Sequence, residues 1–208
     1  HTNSITSVHF TSDAQIVMSS SEDRTVKLWN ASNGFCLRTL EGHTDAVQDV
    51  AFSEDGHLAV SVSLDGTLRV WDVRERKCDQ VIEGHHGGVL GIAMDPPALA
   101  AVTAGQDGIV KVWDVRARRC THTIQGHQGP VNAICMTEDC RVAISGGEDR
   151  TLRVWHPGSG KLIATFEGHQ APVRAVAISY NGKLAASCGL DRTVRLWDVA
   201  TGRCLNTL

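Results

Sequence analysis

Residues 43–84 read HTDAVQDVAFSEDGHLAVSVSLDGTLRVWDVRERKCDQVIEG. Within them, Thr67-Leu68-Arg69-Val70-Trp71-Asp72 alternates in the way a strand with two unlike faces requires. Ala46 to Phe52 alternates in part and predicts a first strand, His57 to Ser63 a second, and Cys78 to Ile82 a fourth. Ser53-Glu54-Asp55-Gly56 and Leu64-Asp65-Gly66-Thr67 carry turn chemistry: glycine tolerates positive φ, and short polar side chains bond the neighbouring backbone. Arg74 to Lys77 is a polar loop. Four short antiparallel strands of this kind form a twisted sheet with two apolar faces. Such a sheet cannot bury both faces by itself, so neighbouring copies must stack.

The copies are present on either side. Tryptophan occurs at 29, 71, 113, 155 and 197, each 42 residues after the last, and nowhere else. Gly42-His43, Gly84-His85, Gly126-His127 and Gly168-His169 keep the same phase, and His1 falls in it too. So do Asp23, Asp65, Asp107, Asp149 and Asp191, and the hydroxyls of Ser19, Ser61, Thr103, Ser145 and Ser187. The 208 residues thus divide into units of about 1–42, 43–84, 85–126, 127–168 and 169–208, without linker or indel. No helical periodicity appears.

Composition narrows the function classes. Lys plus Arg is 20 against 23 Asp plus Glu, a net charge of -3, which lacks the basic excess of a general nucleic-acid binder. No apolar run is long enough to span a membrane, and the N-terminal residues HTNSITSVHF are not a signal peptide. Seven cysteines is an odd number, and no CxxC pair offers a zinc site. Cys36, Cys78, Cys120 and Cys204 share one phase in which Leu162 takes the remaining place, which reads as an apolar packing position. Cys135 and Cys140 have the wrong spacing for a zinc knuckle. Reduced thiols fit a reducing compartment, the cytoplasm or alternatively the nucleus. Asn30-Ala31-Ser32 matches a glycosylation acceptor, but by chance such tripeptides are common.

Gly-His near one end, Asp in the second turn and Trp-Asp closing the third strand resemble the WD-repeat family of β-propellers, over the whole chain. Asn30 and His156-Pro157 depart from the pattern and are expected to loosen two loops. The resemblance implies an all-β fold, a β-propeller of four-stranded antiparallel blades, five of them present as part of a larger ring. It also implies a hydrogen-bonded set in each blade: His1, Ser19, Asp23 and Trp29; His43, Ser61, Asp65 and Trp71; His85, Thr103, Asp107 and Trp113; His127, Ser145, Asp149 and Trp155; His169, Ser187, Asp191 and Trp197. Trp donates only, a hydroxyl and neutral His do both, and Asp accepts, so such a chain satisfies every buried polar atom.

Ser, His and Asp together invite a hydrolase reading, but a nucleophile is needed once, and this set occurs five times. Gly158-Ser159-Gly160-Lys161 fails the phosphate-loop pattern, since Trp155 stands where its first Gly belongs. His86 lacks a second metal ligand in phase. No cofactor or metal is expected. Lys27, Arg69, Lys111, Arg153 and Arg195, two before each Trp, are expected to pack their stems and keep their charges wet.

In the family, the face carrying first-strand entrances and second turns is the usual partner surface. The positions that map there are Ser4, Thr6, Ala46, Gln48, Gly88, Leu90, Pro130, Asn132, Pro172 and Arg174, with Glu22, Leu64, Gln106, Glu148 and Leu190 before the turn Asp. Leu64, Leu90 and Leu190, rimmed by Gln48, Gln106, Asn132, Arg174 and Glu148, are expected to form an exposed patch for other proteins or peptides. On the opposite face Arg74, Arg76, Lys77, Arg116, Arg118 and Arg119 are candidates for an acidic segment or anionic headgroups. The expected function is a non-enzymatic interaction scaffold or ligand sensor, in the sensor or autoinhibitory part of a signalling ATPase. The alternative is a substrate-recognition or assembly subunit of a larger enzyme complex such as a ubiquitin ligase. The unclosed ring leaves three expectations: a longer chain supplies missing blades, a second copy pairs, or five blades close under strain.

Overall fold

A computed structural model describes residues 1–11, 13–53, 56–75, 77–95 and 100–208. Twenty strands form five separate four-stranded sheets. The first holds β1 (Ile5–Phe10), β2 (Ile16–Ser21), β3 (Val26–Asn30) and β4 (Cys36–Leu40). The second holds β5 (Val47–Phe52), β6 (Leu58–Ser63), β7 (Thr67–Asp72) and β8 (Lys77–Glu83). The third holds β9 (Val89–Met94), β10 (Ala100–Gly105), β11 (Ile109–Asp114) and β12 (Arg119–Gln125). The fourth holds β13 (Val131–Met136), β14 (Ala143–Gly147), β15 (Leu152–His156) and β16 (Lys161–Phe166). The fifth holds β17 (Val173–Ile178), β18 (Leu184–Gly189), β19 (Val194–Asp198) and β20 (Cys204–Thr207). Every pair is antiparallel and every sheet runs in chain order, as short turns between consecutive strands demand. The expected turn at Ser53–Gly56 falls partly outside the described residues, as does Arg76.

The sheets stack face to face in sequence order. Each joint is an apolar layer built from the β2–β4 type strands of one sheet and the β1–β3 type strands of the next. Between the first two, Met18, Val26, Leu28 and Leu40 meet Val47, Val50, Ala59 and Trp71. Between the last two, Ile144, Leu152, Val154 and Phe166 meet Val173, Ala185 and Trp197, with the Phe166 and Trp197 rings stacked 5.6 Å apart. The alternation in β7 explains the sorting: Leu68 and Val70 face forward to the third sheet, while Trp71 faces back to the first. Glycine before His127 is forced by this packing. A Cβ on Gly126 would stand 2.5 Å from the Trp155 ring.

The innermost strands, β1, β5, β9, β13 and β17, converge on a central cavity of about 440 Å³, with Phe10, Phe52, Met94, Met136 and Ile178 at one end. There Asp49 Oδ2 accepts the Ile92 amide at 3.1 Å and Oδ1 lies 3.4 Å from His9 Nε2, tying three sheets together.

Two expectations need correction. The shared cysteine position is an apolar packing site only at Cys78, which is half-buried against the joint of the first two sheets, whereas Cys36, Cys120 and Cys204 are exposed. It lies on the outermost strand opposite the Trp, where the register shifts by one residue, and each thiol points to the carbonyl two residues on, at 3.2 to 3.3 Å. All seven cysteines are free thiols. Nor are the two unusual loops loosened. Asn30 Oδ1 accepts the Ser32 amide and hydroxyl and the Asn33 amide, doing what Asp72 does for the Glu75 amide. After His156, a 3-10 turn at Pro157–Ser159 closes on a Gly160 amide bond to the His156 carbonyl at 2.9 Å.

Candidate partner-binding face

All twenty residues of the repeated polar sets are brought together, one set per sheet. Each indole N–H donates to its hydroxyl at 2.8 Å. The same hydroxyl oxygen lies 2.7 to 2.8 Å from His Nε2. Nδ1 donates to the Asp, at 2.8 to 2.9 Å. The carboxylate can only accept, so Nδ1 carries a proton; in a neutral ring Nε2 then accepts, and the hydroxyl donates to it. All five hydroxyls are buried, Ser19 at 3% exposure and the others at 2% or less.

The Asp is the hinge between this interior chain and the surface. It also accepts the amide after the His: Thr2, Thr44, His86, Gln128 and Gln170, at 2.9 to 3.1 Å. In four sheets a Thr two residues on adds its hydroxyl; in the third sheet Ile109 offers only its amide. Burial alone would raise the Asp65 carboxyl, but the Thr67 hydroxyl, the Thr44 amide and His43 overcome it and hold it at about 2. Asp149 is held at about 2 against the same burial, chiefly by the Gln128 amide and His127. Burial pushes the His43, His85 and His127 rings below their ordinary value, against the pull of their Asp partners.

One consequence is that the entrance to each first strand and the following second turn are locked to each other. The lock is completed by backbone alone: the amides of Glu22, Leu64, Gln106, Glu148 and Leu190 donate to the carbonyls of Ser4, Ala46, Gly88, Pro130 and Pro172, at 2.9 to 3.0 Å. Side chains at these positions are free to vary without disturbing the scaffold.

The variable residues form two groups. Across the second and third sheets, Leu64 lies over Gly88, where a Cβ would stand 2.6 Å from Leu64 Cδ2, and Gln106 Oε1 accepts the Gly88 amide at 3.0 Å. Gln48 and Leu90 are half-buried on the same sheets. Across the fourth and fifth, Asn132 Nδ2 donates to the Val173 carbonyl at 2.8 Å and to Glu148 Oε1 at 3.2 Å, and Arg174 pairs with that same oxygen at 2.9 Å. The expected three-leucine patch is therefore not one exposed cluster. Leu64 and Leu90 are half-buried, because Gly88 lets Leu64 lie down, while the exposed Leu190 sits on the fifth sheet.

Three residues that the pattern did not single out belong here. Arg24, Arg150 and Arg192 follow the turn Asp with φ of 70, 66 and 65, where the second and third sheets use Gly66 and Gly108. A left-handed non-glycine residue costs about 1–2 kcal/mol. The in-phase series Arg, Gly, Gly, Arg, Arg is the signal in the sequence. It places an arginine beside the turn Asp on sheets one, four and five, and glycine there on sheets two and three. On the opposite face Arg118 is committed to Asp79 at 3.0 Å, while Arg74, Lys77, Arg116 and Arg119 are exposed. Lys27 and Lys111 cross their Trp rings 6.0 and 5.8 Å from the centroids, and Lys111 Nζ reaches the Gly84 carbonyl at 2.6 Å.

Residues 1–30, 34–72, 76–114, 118–156 and 160–198 match the family described as WD domain, G-beta repeat. A stretch of 43 residues is 46% identical to Protein Notchless of Drosophila melanogaster, covering 21% of this chain and 9% of that protein.

Proposed function

We propose, from the premise that this chain belongs to the WD40 family of G-beta repeats, that it is an interaction module gripping a polypeptide segment with an apolar anchor beside acidic side chains. WD40 domains mediate protein interactions; the partner chemistry is our reading of this particular face. The observation that carries it is the backbone-only lock at the variable positions, which leaves the side chains of Leu64, Gln106, Glu148 and Leu190 outside it. The apolar anchor seats over the half-buried Leu64 and Leu90. The acidic side chains meet Arg150 and Arg192, which keep strained backbones and exposed guanidinium groups. Within this reading the module serves as the sensor or autoinhibitory element of a signalling ATPase. The support is the unbroken 42-residue pitch with Thr39-Leu40-Glu41-Gly42-His43 joints and Val194-Arg195-Leu196-Trp197-Asp198 strands.

Selection of linear peptides from a random display library against the purified chain tests the recognition reading. The expected binders place an apolar residue next to Asp or Glu. Leu64→Asp and Arg192→Glu each weaken them by about tenfold or more, which corresponds to about 1.4 kcal/mol, whereas Arg116→Glu on the opposite face changes nothing. Binders indifferent to both top-face variants, or lost with Arg116→Glu, overturn it.

A further inference from the structure

On the partner face, the residue before each turn Asp stands in phase with a first-strand residue of the next sheet, 26 positions on. Of these pairs only Glu148 and Arg174 join opposite charges. Arg174 Nη1 donates to Glu148 Oε1 at 2.9 Å, across the joint between the fourth and fifth sheets. Asn132 Nδ2 donates to the same oxygen at 3.2 Å. Two donors from two sheets thus converge on one carboxylate oxygen.

The donors are held and their occupant is not. Asn132 Nδ2 also donates to the Val173 carbonyl at 2.8 Å, which directs its second N–H. Arg174 follows that carbonyl on β17. Glu148 is tied down through its backbone, whose amide donates to the Pro130 carbonyl at 2.9 Å, so its side chain can turn away without disturbing the scaffold. The Arg174 and Glu148 side chains are 47% and 33% exposed, and an ion pair so open to water contributes little to stability. A carboxylate from outside that takes the same two donors therefore replaces Glu148 at small cost.

We propose that Arg174 and Asn132 form a carboxylate-binding site that Glu148 fills when no partner is bound. The proposal rests on the reading above that this face takes acidic polypeptide segments, and adds a site distinct from Arg150 and Arg192. The ligand is the side-chain carboxylate of an Asp or Glu in the bound segment. Glu148 is its internal competitor, so the face carries its own brake on acidic partners.

An acetylated, amidated tetraglutamate peptide is the probe, titrated into the 208-residue chain and followed by calorimetry and by the side-chain amide resonances of Asn132. Those resonances are expected to shift. Glu148→Gln tightens binding about threefold, the scale of an exposed ion pair, and Arg174→Gln weakens it by about as much. On the Arg174→Gln background, Glu148→Gln gains no more than Glu22→Gln, which removes the same charge from the first sheet. An unchanged near-ultraviolet tryptophan signal shows that each variant folds. A gain from Glu148→Gln that persists undiminished without Arg174 is bulk charge alone and overturns the proposal. An Asn132 amide that stays still at saturation, or no detectable binding, also overturns it. Binding lost with Arg192→Glu but indifferent to Glu148→Gln overturns this site and leaves the recognition reading standing.

Discussion

Val50 and Val8 hold the same place in consecutive repeats, yet one is sealed and the other is 52% exposed. Trp71 and Trp29 differ in the same way: both donate to a serine at 2.8 Å, but Trp71 lies buried against the first sheet and Trp29 is half-buried. Identical local chemistry therefore yields an interior blade or an end blade according to what stands next to it. The polar set in each sheet is self-contained and survives at the ends; the apolar layer is shared and does not. Local order and core stability are thus supplied by different residues.

The largest expected effect separates the two tryptophans. Trp71→Ala removes a fully packed ring and is expected to cost about 3–5 kcal/mol in denaturant unfolding. Trp29→Ala, with one side already in water, is expected to cost roughly 2 kcal/mol, by area removed. Equal losses would mean that the joint is not the source of the difference. Next comes Ser61→Ala, which leaves the Trp71 indole and His43 Nε2 without partners. The expected loss is about 1–3 kcal/mol for each orphaned group, and the amide of Thr44 should then exchange faster with solvent. Smaller still is the valine pair. Val26→Ala is expected to cost about 2 kcal/mol, two buried methyl groups plus the cavity they leave, and Val194→Ala no more than about 0.5 kcal/mol. An equal effect at both sites would show that the fifth sheet is covered in solution.

The last prediction concerns pH and tests the interior polar sets alone. His43, His85 and His127 sit below 6.5 in the fold because burial disfavours the charged ring. Between 6.5 and those lowered values the unfolded chain binds more protons than the folded one, so stability falls as pH falls through that window. Asp65 and Asp149, held at about 2 instead of 3.8, add a second loss below 3.8. Thermal melts from pH 8 downward are expected to show a plateau above 6.5 and a decline beneath it. A midpoint unchanged down to pH 5 would contradict the reading that burial keeps the His43, His85 and His127 rings neutral.

Much of this was legible in the residues. The expected strands of the second unit match β5 to β8 within a residue at each end, because alternation and turn chemistry act over a few positions. The polar sets were legible because donors and acceptors must balance within one sheet. What escaped was whatever depends on a neighbour across space. The cysteines looked apolar because leucine substitutes for them, yet their strand is outermost and exposed. Leu64 looked solvent-facing, yet the missing side chain of Gly88, on another sheet, gives it a surface to lie on. Arg150 and Arg192 were passed over because a left-handed backbone has no signature in an arginine codon; the glycines in the other repeats were the clue.

By itself the sequence determined the repeat, the strands within it, and the direction of hydrogen bonding through each His–Asp pair, since these follow from period, turn preference and donor valency. Only the tertiary structure decided which identical valines are core and which are surface, and how Leu64 packs over Gly88 of the neighbouring sheet. Burial is a property of two faces meeting, and no residue carries that information alone.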